Sequence, residues 1–229
     1  MFLFSGLLDI LLPRACLLCG DHAQAALCDA CAADLPRLGG PLCPVCATPL
    51  TAPAPACGAC LKSPPAFDAT RAPLRYGFPV DRLIHSLKYE RRLASADFFA
   101  QCMLANPHPE GALIMPVPLS RQRLRERGFN QALEIARPLA RALALPLDAA
   151  SLTRPRETLP QSRLPWRDSK GNVRHAFSCN RDLTGFAVIV VDDVMTTGAT
   201  LDAVARTLKD HGAGRVTNWV AARAVKTTT

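Results

Sequence analysis

The chain has 229 residues, 49% of them apolar and 20% charged, which is enough apolar content for one medium domain plus a small one and excludes wholesale disorder. A formal charge of +8 favours an anionic partner: a phosphate ester, a nucleic acid or a membrane surface. Charge alone does not choose among the three.

In chain order, residues 1–12 are apolar and stop at Pro13. The stretch is shorter than the ~20 residues a membrane-spanning helix takes. No basic residue precedes the apolar run and Asp9 interrupts it, which argues against a signal peptide. Residues 1–13 therefore read as an amphipathic helix lying on the body, and no other segment approaches a membrane span.

Residues 14–65 are rich in Cys, Ala, Pro and Gly and carry too few large apolar side chains for a core of their own. Eight of the ten cysteines fall here as four pairs: Cys16 with Cys19, Cys28 with Cys31, Cys43 with Cys46, and Cys57 with Cys60. Cys-x-x-Cys spacing suits metal knuckles better than a secreted disulfide framework, which implies a reducing, cytoplasmic setting. Eight thiolates suffice for two tetrahedral Zn(II) sites, and a set of four leaves no open coordination position. One or two metals are accordingly expected, as structural staples and not catalysts. A grouping in sequence (16, 19, 28, 31 and 43, 46, 57, 60) is preferred, and an interleaved one fits the spacings equally well. Four pairs in succession argue against a redox motif. Cys102 and Cys179 stand alone and read as buried filler.

From about residue 70 to 229 the text changes character. Residues 81–106 read helical, with Leu83, Ile84, Leu87, Leu93, Phe98, Cys102 and Met103 at helical spacing. Residues 112–118 form a buried-strand run closed by prolines, and 130–145 read helical again, with a kink expected at Pro138. Residues 151–182 show no period and predict a long loop with local structure. Residues 186–191 are a continuous apolar run of the kind found in central parallel strands. A turn is expected at 192–199, then a helix burying Leu201, Val204, Ala205 and Leu208 and ending at Gly212, then a strand over 215–221. This alternation predicts an α/β fold with a parallel sheet flanked by helices.

The most informative string runs from Val188 to Thr200. A buried strand delivers Asp192 and Asp193 to the carboxyl edge of the sheet, where open α/β folds bind ligands. A hydroxyl-rich turn and a helix start follow, a phosphate site by virtue of its N–H groups and the helix dipole. Carboxylates that accept from ribose hydroxyls, placed beside a phosphate cradle, suit a sugar phosphate. Upstream, Arg121, Arg123, Arg125 and Arg127 lie between a strand and a helix and could clamp a multiply charged anion.

The 188–200 string resembles the loop with which type I phosphoribosyltransferases bind 5-phosphoribosyl-1-pyrophosphate (PRPP). The resemblance implies that Asp192 and Asp193 hold the ribose hydroxyls and that Thr196, Thr197, Gly198, Ala199 and Thr200 hold the 5′-phosphate. It also implies Mg(II) bridging the pyrophosphate. Pro116-Val117-Pro118, the arginines, and Arg127-Gly128-Phe129-Asn130-Gln131 resemble the ComF form of the pyrophosphate loop, which places Arg127 and Gly128 nearest that group. Residues 158–164, continuing through Arg167, Lys170 and Asn172, resemble the loop that closes over PRPP and excludes water. The ComF pattern has an arginine where this chain has Ser169, so no catalytic residue is assigned there. The stretch from His85 to Tyr89 matches a further ComF signature, and a plain helix-surface reading of Lys88 and Tyr89 stays open.

From Cys16 to Arg223 the chain thus resembles the ComF family: a double zinc ribbon at 14–65 and a phosphoribosyltransferase-like domain at 70–229. The resemblance implies a phosphoribosyltransferase of unassigned acceptor, linked to DNA uptake in natural competence and to partners in that process. The alternatives are a binding module that senses PRPP or handles single-stranded DNA without turnover, and a regulator whose contacts respond to PRPP.

Overall fold

The computed structural model describes residues 15–155 and 176–225. The expected helix over 1–13 and the loop from Thr158 to Asn172 lie outside the described residues.

The cysteine segment is a module used twice. In each copy the first Cys-x-x-Cys pair sits in a tight turn, with the Gly20 N–H bonded to the Cys16 carbonyl at 3.0 Å and the Ala47 N–H to the Cys43 carbonyl at 2.8 Å. The second pair sits at a helix start: Cys28 caps α1 (Asp29–Ala33) and Cys57 caps α2 (Gly58–Lys62). Cys31 and Cys60 follow one helical turn later, on the same face as the capping cysteine.

The body is a parallel sheet. Its strands are β1 (Ala69–Arg71), β2 (Leu74–Arg75), β3 (Leu113–Pro116), β6 (Ala187–Met195) and β7 (Arg215–Arg223). The order runs β1-β7-β6-β3, with β2 also on β7. Ala69 pairs with Thr217 and Leu74 with Ala222, so β1 and β2 share one register and form a single edge strand broken at Ala72-Pro73. Proline lacks the N–H that a ladder needs, and its place at this edge follows. Outside β2, Leu38 and Arg75 exchange backbone bonds with Pro73 and Pro36, which covers the edge. A short antiparallel pair, β4 (Leu152–Thr153) and β5 (Ser178–Cys179), stands apart.

Among the described residues, five helices accompany the sheet: α3 (Val80–Tyr89), α4 (Ala94–Leu104), α5 (Arg121–Arg127), α6 (Gln131–Leu143) and α7 (Ala199–Asp210). Alternation along β6 divides the core. Ile189 and Val191 face α3, α4 and α6, whereas Val188 and Val190 face α7. Helix α7 buries the four expected residues, and Gly212 with Ala213 bonds back to Lys209 and Leu208 in a Schellman ending.

Three expectations are corrected. The helix over 81–106 is two helices, because Arg91 takes a left-handed conformation (φ 55°) and turns the chain between them. The arginine stretch is itself a helix, α5. Strand β6 does not stop at Val191 but continues through both aspartates to Met195, held by pairing with β7 as far as Arg223.

The ribbons are not appended to this body. Cys16, Ala23 and Leu27 join the core on the α3/α4/α6 face, while Cys43, Cys46 and Phe67 join the core on the α7 face. A segment too poor in apolar side chains for a core of its own borrows one from each face of the sheet.

Candidate functional site

The carboxyl ends of the parallel strands converge on a cleft of about 260 Å³. Tyr76 follows β2, Val117 and Pro118 follow β3, Asp192 and Asp193 come from the end of β6, and Thr196 directly follows it, all lining the cleft. This is where an open α/β sheet leaves room for a ligand.

Asp192 and Asp193 are 9% and 4% exposed. By strand alternation Asp193 points to the helix side, where Lys88 of α3 forms an ion pair with it. The Gln131 Nε2 of α6 donates to Asp193 Oδ1 at 3.3 Å. Burial alone would raise the Asp193 carboxyl, but the Lys88 charge and hydrogen bond bring it below the ordinary aspartate range. On its neighbour burial prevails: desolvation first, then the Asp193 charge, push Asp192 well above that range against the weaker lowering pull of Lys88 and the Asp193 N–H. Asp192 Oδ1 accepts from the Asp193 N–H at 2.9 Å. The pair is asymmetric, one carboxylate held ionised by an ammonium and one held toward its protonated form.

Opposite the acids stand cations. A helix brings i and i+4 to one face, so α5 sorts its alternating arginines into two pairs. Arg123 and Arg127 line the cleft, while Arg121 and Arg125 are exposed on the other side. Arg127 Nη1 donates to Gln131 Oε1 at 2.5 Å and its guanidinium lies 5.6 Å from the centre of the Tyr89 ring. Arg154, just after β4, completes the lining, and burial followed by the nearby Arg123 charge lowers its pKa. Lys88, Arg123, Arg127 and Arg154 thus face one cavity, which suits a ligand carrying several negative charges.

The 196–200 stretch forms the turn into α7, with Gly198 as N-cap at φ +83°. A Cβ at Gly198 would lie 2.7 Å from Met195 Cε, and the positive φ disfavours any side chain there as well. Thr196 and Thr200 line the cleft, whereas the Thr197 hydroxyl accepts from the Ala199 N–H at 3.3 Å. Gly128 does not line the cleft. It ends α5 in a left-handed conformation (φ +82°). Among the charged and amide side chains of the cleft, Lys88, Gln131 and Arg154 are those whose part the sequence left open or missed. Lys88 and Gln131 stood inside recognised motifs without roles, and Arg154 has no local signal.

The two cysteine groupings are sequential: the sulfurs of Cys16, Cys19, Cys28 and Cys31 lie within 4.8 Å of one another, as do those of Cys43, Cys46, Cys57 and Cys60. Tetrahedral Zn(II) with Zn–S near 2.3 Å needs sulfurs roughly 3.8 Å apart. Cys19 and Cys28 are 3.7 Å apart, and Cys46 and Cys57 are 3.6 Å apart. The Cys57 N–H points at Cys43 Sγ from 3.2 Å, the outer-shell bond a metal thiolate accepts. The donor sets fit structural zinc. No helix among the described residues is long and apolar enough to cross a membrane.

Comparison with known proteins gives two domain matches: a double zinc ribbon domain over residues 7–61 and a phosphoribosyl transferase domain over residues 130–227. Among relatives, the chain is 34% identical over 224 residues to the DNA utilization protein YhgH of Salmonella typhi, covering 92% of this chain and 97% of that one. It is 32% identical to competence protein F of Haemophilus influenzae, covering 88% and 92% of the two chains. To competence protein ComFC of Bacillus subtilis it is 28% identical, covering 81% and 79%.

Proposed function

The chain belongs to the ComF family, and from that premise we propose that its cleft binds PRPP and transfers the phosphoribosyl group to an acceptor that the cleft does not name. The observation that carries this reading is the single cavity shared by two buried strand-end acids, a hydroxyl-bearing helix start and four cations. Asp192 and Asp193 accept from the ribose hydroxyls, the 196–200 turn holds the 5′-phosphate, and Arg127 with Arg123 faces the pyrophosphate. Mg(II) arrives with PRPP as part of the substrate and offsets pyrophosphate charge. Cations gathered on the leaving pyrophosphate favour cleavage of its bond to the ribose carbon, because charge develops there in the transition state. The names of the relatives support a role in DNA uptake or utilization, and cysteines grouped as zinc ligands support a cytoplasmic setting. Calorimetric titration with Mg–PRPP tests the site, and pyrophosphate release in the presence of a panel of bases and amines tests turnover. Binding without release for any acceptor would favour a PRPP sensor.

A second reading, that the protein handles single-stranded DNA, is favoured by the surface outside the cleft. Arg121, Arg125, Arg91 and Arg92 are exposed, and Tyr89, 67% exposed, lies beside Arg127 as a stacking face. Anisotropy of a labelled oligonucleotide should show log affinity falling with log salt at a slope of about −0.7 per phosphate neutralised. Because Arg127 serves both ligands, saturating PRPP should displace the oligonucleotide. A flat salt response discards the electrostatic model, and indifference to PRPP moves the DNA away from Arg127.

A further inference from the structure

Arg223, the last residue of β7, is 8% exposed and charged, and its guanidinium joins two parts of the chain that the sequence keeps far apart. On one side Nε donates to the Cys46 carbonyl at 2.9 Å and Nη2 to Thr48 Oγ1 at 3.3 Å. Thr48 Oγ1 in turn lies 3.3 Å from Cys46 Sγ. On the other side Nη1 donates to the Met195 carbonyl at 3.1 Å and also to the carbonyls of Thr196 and Ala224. A planar guanidinium holds its donors in a rigid fork, so this is a brace with little freedom.

Two more contacts run between the same parts. Met195 Cε and the Phe67 ring fill the space at Gly198, and Phe67 shares a core with Cys43 and Cys46. The Ala66 N–H, just beyond the second ribbon, donates to Asp202 Oδ1 in the first turn of α7 at 2.6 Å. In a planar trans peptide the N–H points opposite to the carbonyl. Holding the carbonyls of Met195 and Thr196 therefore sets the direction of the Thr196 and Thr197 N–H groups in the turn. The first ribbon packs on the opposite face of the sheet.

We propose that Arg223 is a positioning residue that couples the second cysteine quartet (Cys43, Cys46, Cys57, Cys60) to the 196–200 turn, so that zinc there and a phosphate ester in the turn strengthen each other. The first quartet does not share in this coupling. The inference rests on reading the turn as the 5′-phosphate site. Coupling of this kind is reciprocal and typically amounts to about 5- to 150-fold.

The decisive measurement uses the zinc-loaded wild-type protein. A chelator is added with or without saturating ribose 5-phosphate, and freed cysteines are alkylated and located by mass spectrometry. Ribose 5-phosphate should slow labelling of Cys43, Cys46, Cys57 and Cys60 and leave Cys16, Cys19, Cys28 and Cys31 unchanged. Equal protection of both quartets, or of neither, overturns the proposal. A second arm uses Arg223→Lys, which keeps the charge but loses the fork. Its affinity for ribose 5-phosphate should fall about 5- to 150-fold with two zinc ions retained and magnesium pyrophosphate bound as before, a split that a general loss of structure would not give. Wild-type affinity in that variant overturns the proposal, and if the variant does not fold the labelling pattern decides alone. A wild-type protein that binds neither ribose 5-phosphate nor PRPP removes the phosphate-site reading and this inference together.

Discussion

Asp192→Asn combined with Asp193→Asn is expected to weaken Mg–PRPP binding at least about thirtyfold while leaving a folded protein. A hydrogen bond to the ionised Asp193 is worth ~1.5–3 kcal/mol and one to Asp192, held toward its protonated form, ~0.5–1.5 kcal/mol, and the ligand loses both. The single changes should act oppositely on stability. Asp193→Asn leaves Lys88 without its partner in a largely buried position, and breaking such a pair costs about 3–5 kcal/mol when fully buried, less here because Lys88 is 22% exposed. Asp192→Asn removes a carboxyl that the fold holds above its ordinary range. A raised carboxyl favours folding only below its unfolded pKa, and that contribution disappears as pH rises through the folded value. The Asp192→Asn variant should therefore gain in melting temperature over wild type as pH rises above about 4, by roughly 2–4 °C for each kcal/mol relieved. Asp193, held low by Lys88, works the other way: its contribution is present at neutral pH and is lost as pH falls through its depressed folded value. Calorimetry and thermal melts across pH check both parts. Unchanged PRPP affinity in the double variant would remove the PRPP reading.

Purified under reductant, the protein should carry two zinc ions per chain, and a strong chelator should collapse more than the ribbons. Structural zinc contributes about 10–16 kcal/mol of apparent folding free energy, as much as the whole stability of a typical domain. Because Cys16 lies in one core cluster of the body and Cys43 with Cys46 in the other, losing the metals withdraws packing from both faces of the sheet. The cooperative melting of the whole chain should therefore shift, and not only a small early transition. Metal analysis with melts before and after chelation is the check. Under one zinc per chain together with paired disulfides would overturn the assignment.

The residues of 188–200 determined a great deal by themselves. A continuous apolar run must be buried on both faces, and the hydroxyls and glycine after the acids mark a helix start, so the strand, the turn and α7 were legible locally. The Cys-x-x-Cys knuckles were legible for the same reason: three-residue spacing alone can bring two sulfurs to one metal. Tertiary structure decided what depends on contacts between distant residues. Pairing with β7 carries β6 past Val191 and buries the aspartates, and a lysine 105 positions earlier in the sequence then makes the two acids unlike each other. The choice between sequential and interleaved quartets, and the bond from Arg223 to Cys46, a separation of 177 residues, were decided the same way. Local sequence specifies backbone propensity and side-chain period. It does not specify which solvated charge will be drawn into a low-dielectric interior, because that is set by whatever group the fold places beside it.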